Sequence, residues 1–263
     1  MYDWPERRAE VDAEWGAIRD ALRERGVEAP DELTRKADEQ ELWRHPELLF
    51  GQTCWGPMEL GLAEHVQVVG QPSYDGVEGG DGEFYSSAIV MRAVTGLTSP
   101  LRGEVAPRSG AGGGDESDRT GVHPTPDLRS DPPPQGEGQQ AAAIPLELLR
   151  NARFAYNGPN SMSGMIGLTR DLEAMGESLD IFAERIESGG HRSSIKAVAE
   201  GRADVAAIDC RSWQLAQLYE PAAQKVQVVG WSAKRRGLPF ITAKGTSPAT
   251  VALLRQALRQ CGL

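Results

Sequence analysis

Tyr156-Asn157-Gly158-Pro159-Asn160-Ser161-Met162-Ser163-Gly164-Met165 is a strand end that runs into a Gly/Pro/Asn turn, and the turn opens a helix. Arg153 to Tyr156 read as the strand, and Met165, Leu168, Leu172 and Met175 share one helical face behind the turn. The first N–H groups of a helix have no carbonyl behind them and carry the positive end of the macrodipole. Ser161 and Ser163 add two hydroxyls there, and Gly164 lets an anion come close to the backbone. The stretch predicts one of two things: an oxyanion cradle at a helix start, or ordinary N-capping by serine.

The same alternation extends in both directions. Val11, Trp15, Ile18 and Leu22 fall on one face of a helix over Glu6 to Arg25 that Gly26 ends. Leu48-Leu49-Phe50, Val66 to Val69, Ala88 to Met91 and Ala203 to Ile208 read as buried strands, and Ser247-Pro248 opens a final helix with a cap and a first-turn proline. Strand and helix alternate, which predicts an α/β protein with a largely parallel sheet. Val-Gln-Val-Val-Gly occurs at 66–70 and again at 226–230, each copy preceded by a strand, a cysteine (Cys54, Cys210) and a short helical segment. That shared order predicts two lobes of similar topology. Residues 103–140 hold 8 Gly and 6 Pro and only three large aliphatics, so they read as a disordered Gly/Pro-rich insertion.

Composition excludes several function classes. The 263 residues carry 28 Lys plus Arg against 38 Asp plus Glu, a net charge of −10, which argues against nucleic acid or an anionic membrane as partner. No apolar run is long enough to insert into a membrane, and Met1 to Arg8 lack the apolar core of a secretory signal. The chain as given therefore reads as cytoplasmic, or as periplasmic or extracellular if its N-terminus is incomplete. Three cysteines in no CxxC pair and four histidines in no HxH or HxxxH offer no metal ligand set, and nothing points to a cofactor.

His191 follows the pair Gly189-Gly190 and opens a helix that Gly201 ends; it reads as an anion donor or as a solvent-facing cap. Arg192 reads as a ligand contact or a solvated side chain. Ser161 or Ser163 with His191 and Asp209 also permits a nucleophile reading, although no G-x-S-x-G elbow is present. Cys54 and Cys210 read as cleft-side chemistry or as buried core thiols.

The segments Asn157 to Gly164, Gly190-His191-Arg192 with Ala197-Val198-Ala199, and Gly201 to Asp209 resemble the substrate-binding proteins of phosphate, phosphite and phosphonate ABC transporters. Trp43 to Met58, Gln71-Pro72-Ser73-Tyr74 and Gly237 to Ile241 fit the same pattern, so the resemblance covers nearly everything outside 103–140. It implies a two-lobed type II periplasmic-binding-protein fold, with lobe 1 at 1–88 plus 235–263 and lobe 2 at 89–234 containing the insertion. It implies a small oxyanion on Ser161, Met162, Ser163 and Gly164 with His191 and Asp209 beside them. Thr53, Cys54 and Trp55 would face them from the first lobe, with Tyr2 and Tyr85 as further aromatics, and an ABC permease would be the partner. Met162 stands where the family has a hydroxyl residue, and Arg235-Arg236 stand where some members hold an aminoalkyl tail with acidic side chains. The rival is a cytoplasmic enzyme on the same scaffold, of the cofactor-biosynthetic kind, using His191, Asp209 and the two cysteines.

Overall fold

The computed structural model describes residues 2–35, 38–93 and 142–263. The expected insertion at 103–140 lies outside them. The strands are β1 (Gly51–Gln52), β2 (Val66–Gly70), β3 (Gly80–Asp81), β4 (Phe84–Tyr85), β5 (Ser87–Arg92), β6 (Arg153–Tyr156), β7 (Glu184–Glu187), β8 (Val205–Asp209), β9 (Val226–Trp231), β10 (Arg235–Arg236) and β11 (Phe240–Ala243). The α-helices are α1 (Arg8–Arg23), α2 (Glu39–Trp43), α3 (Trp55–Glu59), α4 (Leu146–Leu149), α5 (Gly167–Ala174), α6 (His191–Ala199), α7 (Cys210–Tyr219) and α8 (Pro248–Gln260).

Two main sheets form. One has the order β1-β11-β2, and the other has the order β7-β6-β8-β5-β9; a small third sheet, β10-β4-β3, stands apart from them. The largely parallel arrangement predicted from the alternation is not what forms: only β6–β7 and β6–β8 are parallel, and the remaining pairs are antiparallel. The reason is a reciprocal exchange. The β1–α3–β2 unit leaves its two strands one position apart, and β11 fills the slot in the opposite direction. The β8–α7–β9 unit leaves the same slot, and β5 fills it. A strand after the first pentapeptide, β5, enters the second sheet, and a strand after the second pentapeptide, β11, enters the first.

Period-two alternation divides the five-stranded sheet between two cores. Ala88, Val90, Ala206 and Ile208 pack toward α6 and α7, whereas Ile89, Val205 and Ala207 pack toward Leu168 and Leu172 of α5. On the first sheet, Trp15, Ile18 and Leu22 of α1 meet Leu254 and Leu258 of α8 over Val69. Val11 is only half-buried, and α1 is preceded by a 3₁₀ turn at Pro5–Arg7. Leu48-Leu49-Phe50 form irregular backbone rather than the expected strand. Leu48 is buried against Trp43 and Met58, so their apolar character serves packing and not a ladder. Ser247 caps α8 as predicted, its Oγ accepting from Thr250 N–H.

Candidate functional site

The helix behind Tyr156 begins with a π-turn, Met162–Ile166, that continues into α5. Ile166 N–H reaches back five residues to Ser161 C=O. Such widened turns recur at functional sites. Ser161 is the N-cap: its Oγ accepts from Gly164 N–H at 3.1 Å, so the capping reading describes this serine. Met162 is fully buried. A Cβ on Gly164 would stand 2.4 Å from Asn157 Oδ1, so a side chain there would displace Asn157.

Ser163 is different. Its Oγ lies 2.9 Å from His191 Nε2, and the same nitrogen lies 3.1 Å from Asp209 Oδ2. Asp209 is 2% exposed and caps α7 through Oδ1 and Ser212 N–H at 2.9 Å. Burial alone would raise its pKa, but the hydrogen bond and charge of His191 and the bonds from Ser212 outweigh that and hold it below the usual carboxylate range. As an ionised carboxylate it can only accept. His191 Nε2 thus stands between an acceptor-only carboxylate and a hydroxyl, and the tautomer sets which of them it serves. In the tautomer with the proton on Nε2, the Ser163 O–H is not spent on His191 and can donate elsewhere.

Tyr2 closes this cluster from the N-terminal segment. Its hydroxyl donates to Asp209 Oδ1 at 3.0 Å and meets Tyr74 OH at 3.1 Å, while Tyr74 OH accepts from Leu238 N–H at 2.9 Å. The donors run in one direction: Leu238 N–H to Tyr74, Tyr74 to Tyr2, and Tyr2 to Asp209. Burial pushes both phenols above their ordinary pKa, so they stay protonated and able to donate. Tyr85 stacks on Tyr74 at 5.5 Å between centroids and lies one ring away from this chain.

Thr53, Cys54 and Trp55 stand at the start of α3, across from the cradle. Contact is direct: a Cβ on Gly56 would lie 2.0 Å from Asn160 C=O. Among the described residues Thr53 Oγ1, Trp55 Nε1 and His191 Nδ1 are buried polar atoms with no hydrogen-bond partner. Burial is also the first cause that raises the pKa of both Cys54 and Cys210, the latter to about 12, with the charge of Asp209 adding to each. Neutral thiols of this kind are poor nucleophiles.

Ser163, His191, Asp209 and Tyr2 thus form one contiguous polar cluster. Tyr74 escaped the sequence reading as a site residue although its segment was noticed; its role depends on Tyr2, 72 residues away. Arg192, expected as a ligand contact or a solvated side chain, is part-exposed and paired with both Glu6 and Glu220. Arg235 is likewise committed, forming a buried pair with Asp171 at 2.5 Å.

No helix among the described residues is long and apolar enough to cross a membrane. Among curated proteins no sequence matches the chain. Solved structures do. PhnD1 from Prochlorococcus marinus in complex with methylphosphonate is 16% identical, with 95% of this chain and 79% of that one covered at a TM-score of 0.61. A Xanthomonas citri protein bound to chloride ion is 15% identical, covering 93% and 75% at 0.57. A binding protein component of an ABC phosphonate transporter from Pseudomonas aeruginosa is 14% identical, covering 94% and 68% at 0.56. These likenesses establish the two-lobed periplasmic-binding-protein fold. Residues 58–263 match the family described as ABC transporter, phosphonate, periplasmic substrate-binding protein, and the chain belongs to that family of solute-binding proteins.

Proposed function

We propose that the protein captures a small oxyanion (phosphate, phosphite or an alkylphosphonate) between lobes made of residues 1–88 with 235–263 and residues 89–234, and delivers it to an ABC permease outside the cytoplasm. Ser163 O–H and His191 are the side-chain donors, and the backbone of Met162 to Gly164 supplies the helix start. Ser161 holds that turn by capping it. Asp209 and Tyr2 orient His191, Tyr85 walls the aromatic side, and Thr53 and Trp55 meet the ligand from the first lobe.

The observation that carries the reading is the placement of His191 Nε2 between Ser163 and an ionised carboxylate. A serine nucleophile needs a base with a free lone pair toward its hydroxyl, whereas the carboxylate at 3.1 Å favours the tautomer with its proton on Nε2. That arrangement suits donation to an anion and not activation of Ser163. The three unpartnered polar atoms give a second support, since an unmet buried polar group costs about 1–3 kcal/mol that a ligand recovers by pairing it.

Thermal unfolding with phosphate, phosphite, sulfate and methylphosphonate tests this. At a hundred times its Kd a ligand adds about 2.7 kcal/mol, a rise of roughly 5–10 °C for a body of this size. Mass spectrometry of whatever the purified protein releases on unfolding tests it independently. Absence of any shift and of any released oxyanion contradicts the proposal.

A further inference from the structure

His191 opens a helix whose first turn is tied from behind by Ser188, whose Oγ lies 3.1 Å from Gly190 C=O and 2.6 Å from Ser194 Oγ. The residue before it, Gly190, is extended and offers no capping side chain, and Gly189 before that sits at φ +83°. Glycine pairs cost more entropy to fix than other residues, and Arg192 supplies a second tie on the first turn of α6. Its Nε donates to Glu220 Oε2 at 2.7 Å, and its two terminal nitrogens fork onto Glu6 at 3.0 and 2.8 Å. One of them also donates to Tyr219 C=O at 3.2 Å, and the guanidinium lies 4.7 Å over the ring of Trp4.

Those partners come from two places. Glu220 and Tyr219 close the end of α7, in the same part of the molecule as His191. Trp4 and Glu6 lie between Tyr2 and α1, and α1 packs under the first sheet. The N-terminal segment is therefore a strap: fastened by Arg192 at Trp4 and Glu6, it sets the Tyr2 hydroxyl on Asp209, and Asp209 in turn holds His191.

Resting on the oxyanion reading, we infer that Arg192 is the positioning residue of the site. It fixes the His191 ring from both sides, directly through the first turn of α6 and indirectly through the strap that carries Tyr2, without touching the ligand. Only an arginine serves, because the fork to Glu6, the Nε bond to Glu220 and the stack on Trp4 use the planar guanidinium at once.

The imidazole ¹⁵N–¹H spectrum of His191 in labelled protein without added anion reads the position of the ring directly. In the wild type an Nε2–H signal protected by its bond to Asp209 is expected. Arg192→Ala should broaden it or lose it, Arg192→Lys should restore it only in part, and Glu6→Gln should weaken it less than Arg192→Ala. Titration with methylphosphonate should then show Kd rising about tenfold in Arg192→Ala, the step that 1.4 kcal/mol makes. If Arg192→Ala does not fold, the pair Trp4→Leu and Glu6→Gln removes the strap's fastening without touching α6 and should give the same spectral change. An unchanged His191 signal in these variants overturns the inference, including the case where Kd rises while the signal stays, which would make Arg192 a ligand contact. A wild type that ignores methylphosphonate defeats the oxyanion reading alone, and the spectrum still decides the role of Arg192.

Discussion

The chain contains one device twice, and the two copies have been put to different uses. Residues 51–70 run strand, Cys54, α3, 3₁₀ turn, strand; residues 205–231 run strand, Cys210, α7, 3₁₀ turn, strand. Both end on Val-Gln-Val-Val-Gly, and both bulge at the same place. Gly70 pairs with Phe240 and Val68 with Ile241, so Val69 is skipped; Gly230 pairs with Ile89 and Val228 with Val90, so Val229 is skipped. An identical pentapeptide carries an identical bulge. The caps differ. Cys54 caps α3 with no side-chain bond, whereas Asp209 caps α7 through Ser212 and leaves its second oxygen for His191. The strongly capped helix is ten residues long and supports the charged half of the site, and the weakly capped one is five residues long and presents its first turn to the cradle.

Removing each cap should break the likeness most sharply. Asp209→Ala strands His191 and Tyr2 as well as the start of α7, and loss of one partner of a buried charged pair costs about 3–5 kcal/mol. Cys54→Ala removes no cap bond, and the loss of its buried sulfur should cost about 1 kcal/mol, the order of one buried methylene. Denaturant unfolding of the two variants measures the difference.

The two pentapeptide glycines come next. A Cβ on Gly230 would lie 2.3 Å from Ala143 C=O, which is backbone bridged to Trp231, whereas a Cβ on Gly70 would lie 2.8 Å from the tip of Leu258. Overpacking costs roughly 1–3 kcal/mol, so Gly230→Ala should fall near the top of that range and Gly70→Ala near the bottom. Equal losses would mean that the copies are packed alike.

Acid unfolding separates the caps again. The pKa of Asp209 is lowered in the folded state, so the stability it contributes is present above the unfolded carboxylate value of about 3.9 and is lost as pH falls through the lower folded value. Asp209→Asn should remove that part of the acid slope, and nothing in the first unit replaces it. The smallest effect is kinetic. Both thiols are held neutral at pH 7.5 and should alkylate more slowly than half-buried Cys261, and Cys54, at the junction with the cradle, should react ahead of Cys210.

Much of the fold was legible because its signals are local. The face of Leu168 and Leu172, the strand at 205–209 and the Ser247 cap each declare themselves within a few residues. The strand directions did not, since β5 and β11 take their places only through contacts with strands more than a hundred residues away. Leu48 to Phe50 show the limit of apolar runs, which mark burial without distinguishing ladder from irregular backbone. In the site, Ser163, His191 and Asp209 stood out as donor and acceptor types. Tyr74 did not, and Arg192 read only as a ligand contact or a solvated side chain, because their meaning lies in Tyr2, Trp4 and Glu6, at the far end of the chain.

Calorimetric titration of methylphosphonate into the wild type and Ser163→Ala tests the central claim, that an unspent serine hydroxyl beside a protonated histidine nitrogen binds an oxyanion. A hydrogen bond to a charged group is worth about 1.5–3 kcal/mol. The Kd should therefore rise between about ten- and a hundredfold in the variant while the melting temperature without ligand holds. Equal affinities in the two proteins would contradict it.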